Sequence, residues 1–184
     1  MDYLIHLDEK LFVFLNGIHS PFFDTLMEFI THKFTWIPLY VVFLIMGYFA
    51  LKKRVWLLLL GVIITIVLAD QASVHLFKNV FMRLRPCHNP ELESVIHLVN
   101  GKCGGLYGFV SSHAANTFGL ATFLFLVFRK HYKYIWWVFI WAALVSYSRI
   151  YLGRHYPGDI LCGAILGVVV GYISSFVMKI RRAK

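Results

Sequence analysis

The sequence lacks the features that would divide it into parts. No stretch repeats at a long period, which excludes a solenoid, and no low-complexity tract acts as a linker, which excludes tethered modules. No basic leader opens the chain: Asp2, Asp8 and Glu9 stand there instead, so no cleavable signal peptide is expected. No group of His, Cys, Asp and Glu has the spacing of a familiar metal site; Cys87, His88, His97 and Cys103 come nearest, with a spacing that is not standard. Charged residues are few, at 15% of 184. The expectation is one domain over residues 1–184.

Apolar residues fill the space that charge leaves. The chain is 59% hydrophobic with a mean hydropathy of +0.69, where soluble domains run roughly 45–50% apolar. The net charge is +9, and a basic surface can mean nucleic acid. Here the charges flank apolar runs, so the partner implied is the bilayer and no nucleic acid is expected.

Residues 2–16 carry Leu4, Leu7, Leu11, Phe14 and Leu15 at helical spacing among charged residues. This predicts an amphipathic helix lying in the membrane interface, stopped by Asn16-Gly17. Ser20-Pro21 is a cap followed by proline at the first helical position, which opens a second such helix to about Thr31. Residues 1–33 are thus interfacial. Residues 34–184 form an all-α transmembrane bundle of about five spans, since about 20 apolar residues cross a bilayer. The spans fall at Thr35–Leu51, Val55–Phe77, Ser112–Phe128, Tyr134–Leu152 and Ile160–Met178, with a polar segment at 79–110.

The connectors at 52–54 and 129–133 and the tail hold Lys52, Lys53, Arg54, Arg129, Lys130, Lys133, Lys179, Arg181, Arg182 and Lys184, ten of the 18 Lys and Arg. The positive-inside rule puts them in the cytoplasm, so the 79–110 segment and the 152–159 turn face outward. Five cations, Lys78, Arg83, Arg85, Arg149 and Arg154, then sit at the outer ends of the second and fourth spans. Orientation does not explain them; an anion site does.

Three constellations carry chemistry. Lys78 and Arg85 are spaced as a phosphate clamp, or as cations snorkelling at a span end. Ser111, Ser112 and His113 open the third span, where backbone N–H groups and capping hydroxyls attract an anion and His113 is placed for acid–base work; the alternative is an ordinary cap beside an interfacial histidine. Arg149, His155 and Asp159 surround the last turn. Asp159 can accept from one nitrogen of His155 and leave the other free to attack phosphorus; the alternative is a basic loop paired with lipid headgroups. Asp70 and His75 lie within the second span, and an intramembrane carboxylate needs a partner, either a site cation or a neighbouring helix. Ser148 and Arg154 flank the same site. Gly163, Gly167 and Gly171 allow the fifth span to pack closely. Cys87 and Cys103 share the outward segment, where a disulfide is permitted, or two free thiols. Cys162 is a packing residue.

Lys78…Arg85-Pro86, Val110-Ser111-Ser112-His113 and Ser148-Arg149…His155…Asp159 resemble the three ordered signatures of the type 2 phosphatidic acid phosphatase superfamily. The second departs from Pro-Ser-Gly-His at Val110 and Ser112. Members usually have six spans; here the two interfacial helices replace the first. The resemblance implies His155 as nucleophile forming a phosphohistidine, Asp159 orienting it and His113 protonating the leaving group. It implies Lys78, Arg85, Arg149, Ser111 and the Ser112 amide as phosphate ligands, with no metal or other cofactor. The substrate implied is a lipid phosphate met at the outer face of a bacterial inner membrane. Undecaprenyl diphosphate is the first choice. Lipid A phosphate and phosphatidic acid or phosphatidylglycerophosphate are the alternatives, and an anion transporter or channel is the rival from another class.

Overall fold

The structure, a computed structural model, describes residues 2–179. Its regular elements are all helices, and its only ladder-like contact among the described residues is an isolated antiparallel bridge between Leu84 and Tyr107. Helix α1 covers Asp2–Gly17 and α2 covers Pro21–Thr31. Ser20 caps α2 by accepting from the Phe23 amide at 3.4 Å, with Pro21 in the first helical position.

Helix α3 (Ile37–Leu51) and α4 (Val55–Ala72) are joined by a single 3-10 turn, Lys52–Arg54. Lys52 has φ +50°, which breaks the helix. The Leu58 side chain packs directly on Gly47; eleven residues of straight helix would hold them about 16 Å apart, so the chain has turned back. Helix α4 passes through a π-helical stretch, Ser73–Lys78, into a last turn α5 (Asn79–Phe81). An irregular segment with short 3-10 turns leads to α6 (Ser112–Phe128), then α7 (Trp137–Tyr151) and α8 (Pro157–Ser174). The fourth expected span starts at Trp137 instead of Tyr134, because 129–136 is taken up by turns.

Lys33–Phe81 and Pro157–Met178 are long and apolar enough to cross a membrane, and Ser112–Phe128 is a shorter apolar helix. Basic residues gather at one end of the bundle. Arg54, Arg129, Lys130 and His131 line a cavity of about 340 Å³ there, with Leu51 and Met178. The irregular segment and the α7–α8 link lie at the other end. Arg181, Arg182 and Lys184 fall outside the described residues.

Helices α6 and α8 make the tightest contact. A Cβ on Gly163, Gly167 or Gly171 would collide with the carbonyl oxygens of Ser111, Ala115 and Gly119 respectively. Every fourth residue of one face of α8 is therefore bare, and backbone meets backbone.

The N-terminal helices do more than lie on a surface. Leu4, Leu7, Leu11, Phe14, Phe22 and Phe29 are exposed, as an interfacial helix requires, but Phe12, Met27 and Ile30 are buried in the bundle. Asn16 is buried as well. Its amide donates to the carbonyls of Tyr151 at 2.7 Å, His97 at 3.0 Å and Ile150 at 3.3 Å, and its oxygen accepts from the His97 amide at 2.7 Å. Two of those carbonyls belong to the last turn of α7, beyond the regular helical ladder; that of Ile150 also accepts from the Gly153 amide at 3.0 Å. Asn16 thus ends α1 and caps α7.

Substituting Gly167→Ala forces α6 and α8 apart and should cost about 1–3 kcal/mol. Thermal unfolding of the detergent-solubilised protein measures this, with Gly17→Ala, whose Cβ would meet nothing within 4 Å, as the neutral comparison.

Candidate active site

The α7–α8 link places His155. Its backbone amide turns back onto the Arg149 carbonyl at 3.2 Å, and its ring is 1% exposed. Asp159 stands at the third position of α8 and is fully buried. Its Oδ2 accepts from the Tyr156 amide at 3.1 Å, which closes the helix start, and lies 3.3 Å from His155 Nδ1. A carboxylate there makes Nδ1 the protonated nitrogen and leaves a lone pair on Nε2. Arg85 Nη1 lies 3.2 Å from that Nε2 and donates to the Arg154 carbonyl at 3.3 Å.

The irregular segment brings Arg85 in. The Arg85 amide donates to the Leu106 carbonyl at 3.1 Å and the Gly108 amide to the Arg83 carbonyl at 2.8 Å, so 83–85 and 106–108 run side by side over the imidazole. Only a glycine fits at 108, since a Cβ would lie 2.9 Å from Asp159 Oδ2. Cys87 and Cys103 are joined as a disulfide with Cα atoms 5.8 Å apart. Their sulfurs bond to each other, and the pair ties the two strips together just beyond Arg85.

Helix α6 begins against α8. The Ser111 amide donates to the Asp159 carbonyl at 3.0 Å, and Ser111 Oγ accepts from Ala114 at 3.4 Å as the helix cap. The cluster gains the side chain of Ser112, whose Oγ receives Lys78 Nζ at 2.6 Å and shares a 2.7 Å hydrogen bond with Ser73. His113 is exposed at the second position of α6 and has His155, Arg149, Arg85 and Lys78 as electrostatic neighbours. Arg149, buried near the end of α7, donates to Thr31 Oγ1 at 2.9 Å.

Two residues expected beside the cations point elsewhere. The Ser148 hydroxyl donates to the Val145 carbonyl of its own helix at 2.7 Å, because a buried serine in mid-helix finds that acceptor first. The Arg154 side chain turns outward to the Lys102 carbonyl at 3.0 Å, and only its backbone carbonyl serves the site, by holding Arg85. Asp70 stays within electrostatic reach of Lys78. His75 is exposed, and no hydrogen bond links it to the cluster among the described residues.

Sequence reasoning passed over Arg83, Asp8, Ser73 and Thr31. Arg83 was visible as one of the five unexplained outer cations. Its Nη1 lies 2.9 Å from Asp8 Oδ2 and 3.1 Å from Asp159 Oδ1. Asp8 was visible as an acid on the polar face of the first helix. Ser73 and Thr31 carry no local signal.

Charge decides what this arrangement can hold. Asp8 and Asp159 compensate Arg83, but no carboxylate lies within 4.0 Å of Lys78, Arg85 or Arg149 among the described residues. The buried Nε atoms of Arg85 and Arg149 have no hydrogen-bond partner among the described residues. Buried cations and orphaned N–H donors are costly unless an anion meets them. Three cations around one imidazole suit a phosphoryl group. His155 lies outside the helices, and burial, reinforced by Arg85, Arg149 and Lys78, holds its pKa well below the usual histidine range. Burial thus favours the neutral ring, whose Nε2 lone pair faces Arg85 Nη1.

Residues 54–183 match the PAP2 superfamily. The chain belongs to the PAP2 superfamily. It is 42% identical over 183 residues to a lipid A 4'-phosphatase of Bacteroides thetaiotaomicron, a match covering 96% of this chain and 79% of the relative. A lipid A 4'-phosphatase of Porphyromonas gingivalis is 36% identical, covering 98% and 75%. An undecaprenyl-diphosphatase of Sulfolobus acidocaldarius is 30% identical, covering 92% and 78%. Among solved structures, the PAP2 type phosphatidylglycerolphosphate phosphatase of Bacillus subtilis superposes with a TM-score of 0.73 at 25% identity, covering 100% of this chain and 90% of the other. This PAP2 protein is a phosphatase with the helical fold of that group.

The disulfide closes a loop of sequence separation 16, which corresponds to about 3 kcal/mol of stabilisation by chain entropy. The variant with both Cys87→Ser and Cys103→Ser should lose about that much stability, measured by chemical denaturation in detergent. It should also lose activity through a loosened Arg85.

Proposed function

We propose that the protein removes a phosphate monoester from lipid A, at its 4' position, acting through a phosphohistidine at residue 155. The observation that carries the reaction is the set of three unpaired cations around a buried, neutral imidazole. In the reaction, His155 Nε2 bonds to phosphorus while the bond from phosphorus to the leaving oxygen breaks. Arg85, Arg149, Lys78 and the Ser112 hydroxyl hold the equatorial oxygens, whose charge is what phosphoryl transfer needs compensated. His113 gives its proton to the leaving oxygen. Water then attacks phosphorus, returns a proton to His113 and frees His155. Asp159 keeps Nδ1–H in place throughout.

The substrate reading rests on the two lipid A 4'-phosphatases, which match nearly the whole chain at 42% and 36% identity. It replaces undecaprenyl diphosphate as first choice. That lipid remains the second reading, favoured by the 30% identical undecaprenyl-diphosphatase. The chain would cross the membrane with α3, α4, α6, α7 and α8. The end bearing Arg54, Arg129 and Lys130 faces the cytoplasm by the positive-inside rule, so the site opens to the periplasm of a bacterial inner membrane. A disulfide beside the site suits that compartment.

Phosphate release from a panel of lipid A, undecaprenyl diphosphate, phosphatidic acid and phosphatidylglycerophosphate, with excess EDTA, tests both parts. Lipid A should be the best substrate, EDTA should leave the rate unchanged, and His155→Ala should lose about 10³-fold or more. His113→Ala should cost more on a monoester, whose alkoxide leaving group needs a proton, than on a diphosphate, whose leaving group does not. Preference for undecaprenyl diphosphate would shift the substrate reading to the second; transport without hydrolysis, or hydrolysis surviving His155→Ala, would contradict the mechanism.

The pH profile follows from the lowered pKa of His155. A histidine that resists protonation stays nucleophilic as pH falls through the ordinary value of about 6.5, so the acid limb of kcat/KM that reports His155 lies below it. Arg85→Gln removes one repelling charge, raises that pKa and moves the limb upward, alongside a rate loss of about 10²–10³-fold.

A further inference from the structure

Helix α1 has two faces with different surroundings. Leu4, Leu7, Leu11 and Phe14 are exposed on one, and Asp8 on the other reaches the catalytic cluster. Asp8 Oδ2 lies 2.9 Å from Arg83 Nη1, and its Oδ1 accepts from the Gly158 amide at 2.7 Å. The same Arg83 nitrogen donates to Asp159 Oδ1 at 3.1 Å, and Asp159 Oδ2 faces His155 Nδ1 at 3.3 Å. The Arg83 guanidinium lies 4.0 Å over the Tyr156 ring, which fixes its plane. A Cβ on Gly158 would stand 2.7 Å from Asp8 Oδ2, so a bare backbone is what lets Asp8 in.

We infer that Asp8 is a positioning residue for the nucleophile, acting through Arg83 on Asp159 and so on His155. The inference rests on His155 being that nucleophile. Two effects support it. Asp8 ties the Gly158 amide and the Arg83 guanidinium to one carboxylate, so the start of α8, which carries Asp159, is held from outside the helix. Asp8 also shares the charge of Arg83. Without it, the guanidinium would bind Asp159 alone and draw that carboxylate off the Nδ1–H of His155. With it, Asp159 keeps one oxygen for Arg83 and one for the imidazole. A helix whose other face is apolar and exposed is in this way joined by three polar contacts to Nδ1 of the ring whose Nε2 attacks phosphorus.

Asp8→Asn tests this, because it keeps an oxygen for Gly158 and removes the charge. The expected result is a kcat lowered about 10- to 100-fold, an unchanged KM and an unfolding temperature close to that of the parent. Asp8→Glu should recover part of kcat. Arg83→Gln should cost at least as much as Asp8→Asn, and the double variant no more than Arg83→Gln alone, since both break one chain of contacts. A parent-like kcat in Asp8→Asn, a loss confined to KM or to thermal stability, or losses that multiply in the double variant would each overturn the inference. His155→Ala is assayed in parallel. An active His155→Ala would remove the nucleophile reading itself, whereas an inactive His155→Ala beside a parent-like Asp8→Asn would remove only the role of Asp8.

Discussion

Lys78, Arg85 and Arg149 hold like charge in partly or fully buried surroundings, and among the described residues no carboxylate neutralises any of them. Much of the remaining structure answers to that constraint. Cations so placed repel each other and would drift apart or take up water unless the scaffold held them. Each is therefore tied from a different direction: Lys78 to Ser112, Arg85 to the Arg154 carbonyl, and Arg149 to Thr31 on an N-terminal helix. The tightness of the α6–α8 contact, the disulfide and the docking of α1 and α2 all keep these anchors at fixed distances. A multiply charged anion would offset the charge these three cations leave uncompensated.

Acidic residues are placed as selectively as basic ones. Asp159 touches the imidazole and Asp8 touches Arg83, but neither touches Lys78, Arg85 or Arg149 within ion-pair distance. A carboxylate beside any of those three would compete with the phosphoryl group. Glycine at 108 and 158 lets the two acids approach backbone where a side chain would block them. On the proposed mechanism, the chain separates two electrostatic tasks: compensation of substrate charge by Lys78, Arg85 and Arg149, and orientation of the ring by Asp159.

The helices and much of the site were legible in the sequence because they rest on local or periodic signals. Ser20-Pro21, Asn16-Gly17 and the glycines at 163, 167 and 171 each do in the structure what their chemistry suggests. Arg85, His155 and Asp159 were legible through their spacing. Contacts between distant segments were not. Amphipathic periodicity says that Asp8 sits on a polar face but not that the face meets Arg83, and nothing near Thr31 marks it as the partner of Arg149. The orientations of Ser148 and Arg154 depended on which acceptor lay nearest, a property of the packed state. The choice of lipid was not legible, because a lipid tail is recognised by surfaces that no short motif encodes.

The most direct measurement is capture of the covalent intermediate. Protein mixed with phosphate-labelled lipid and quenched in alkali, where phosphohistidine survives, is digested and the labelled peptide sequenced. The account predicts label on His155 and none on His113, with none retained after Asp159 and His155 are both replaced. Label on His113, or turnover with no label on any histidine, would contradict it.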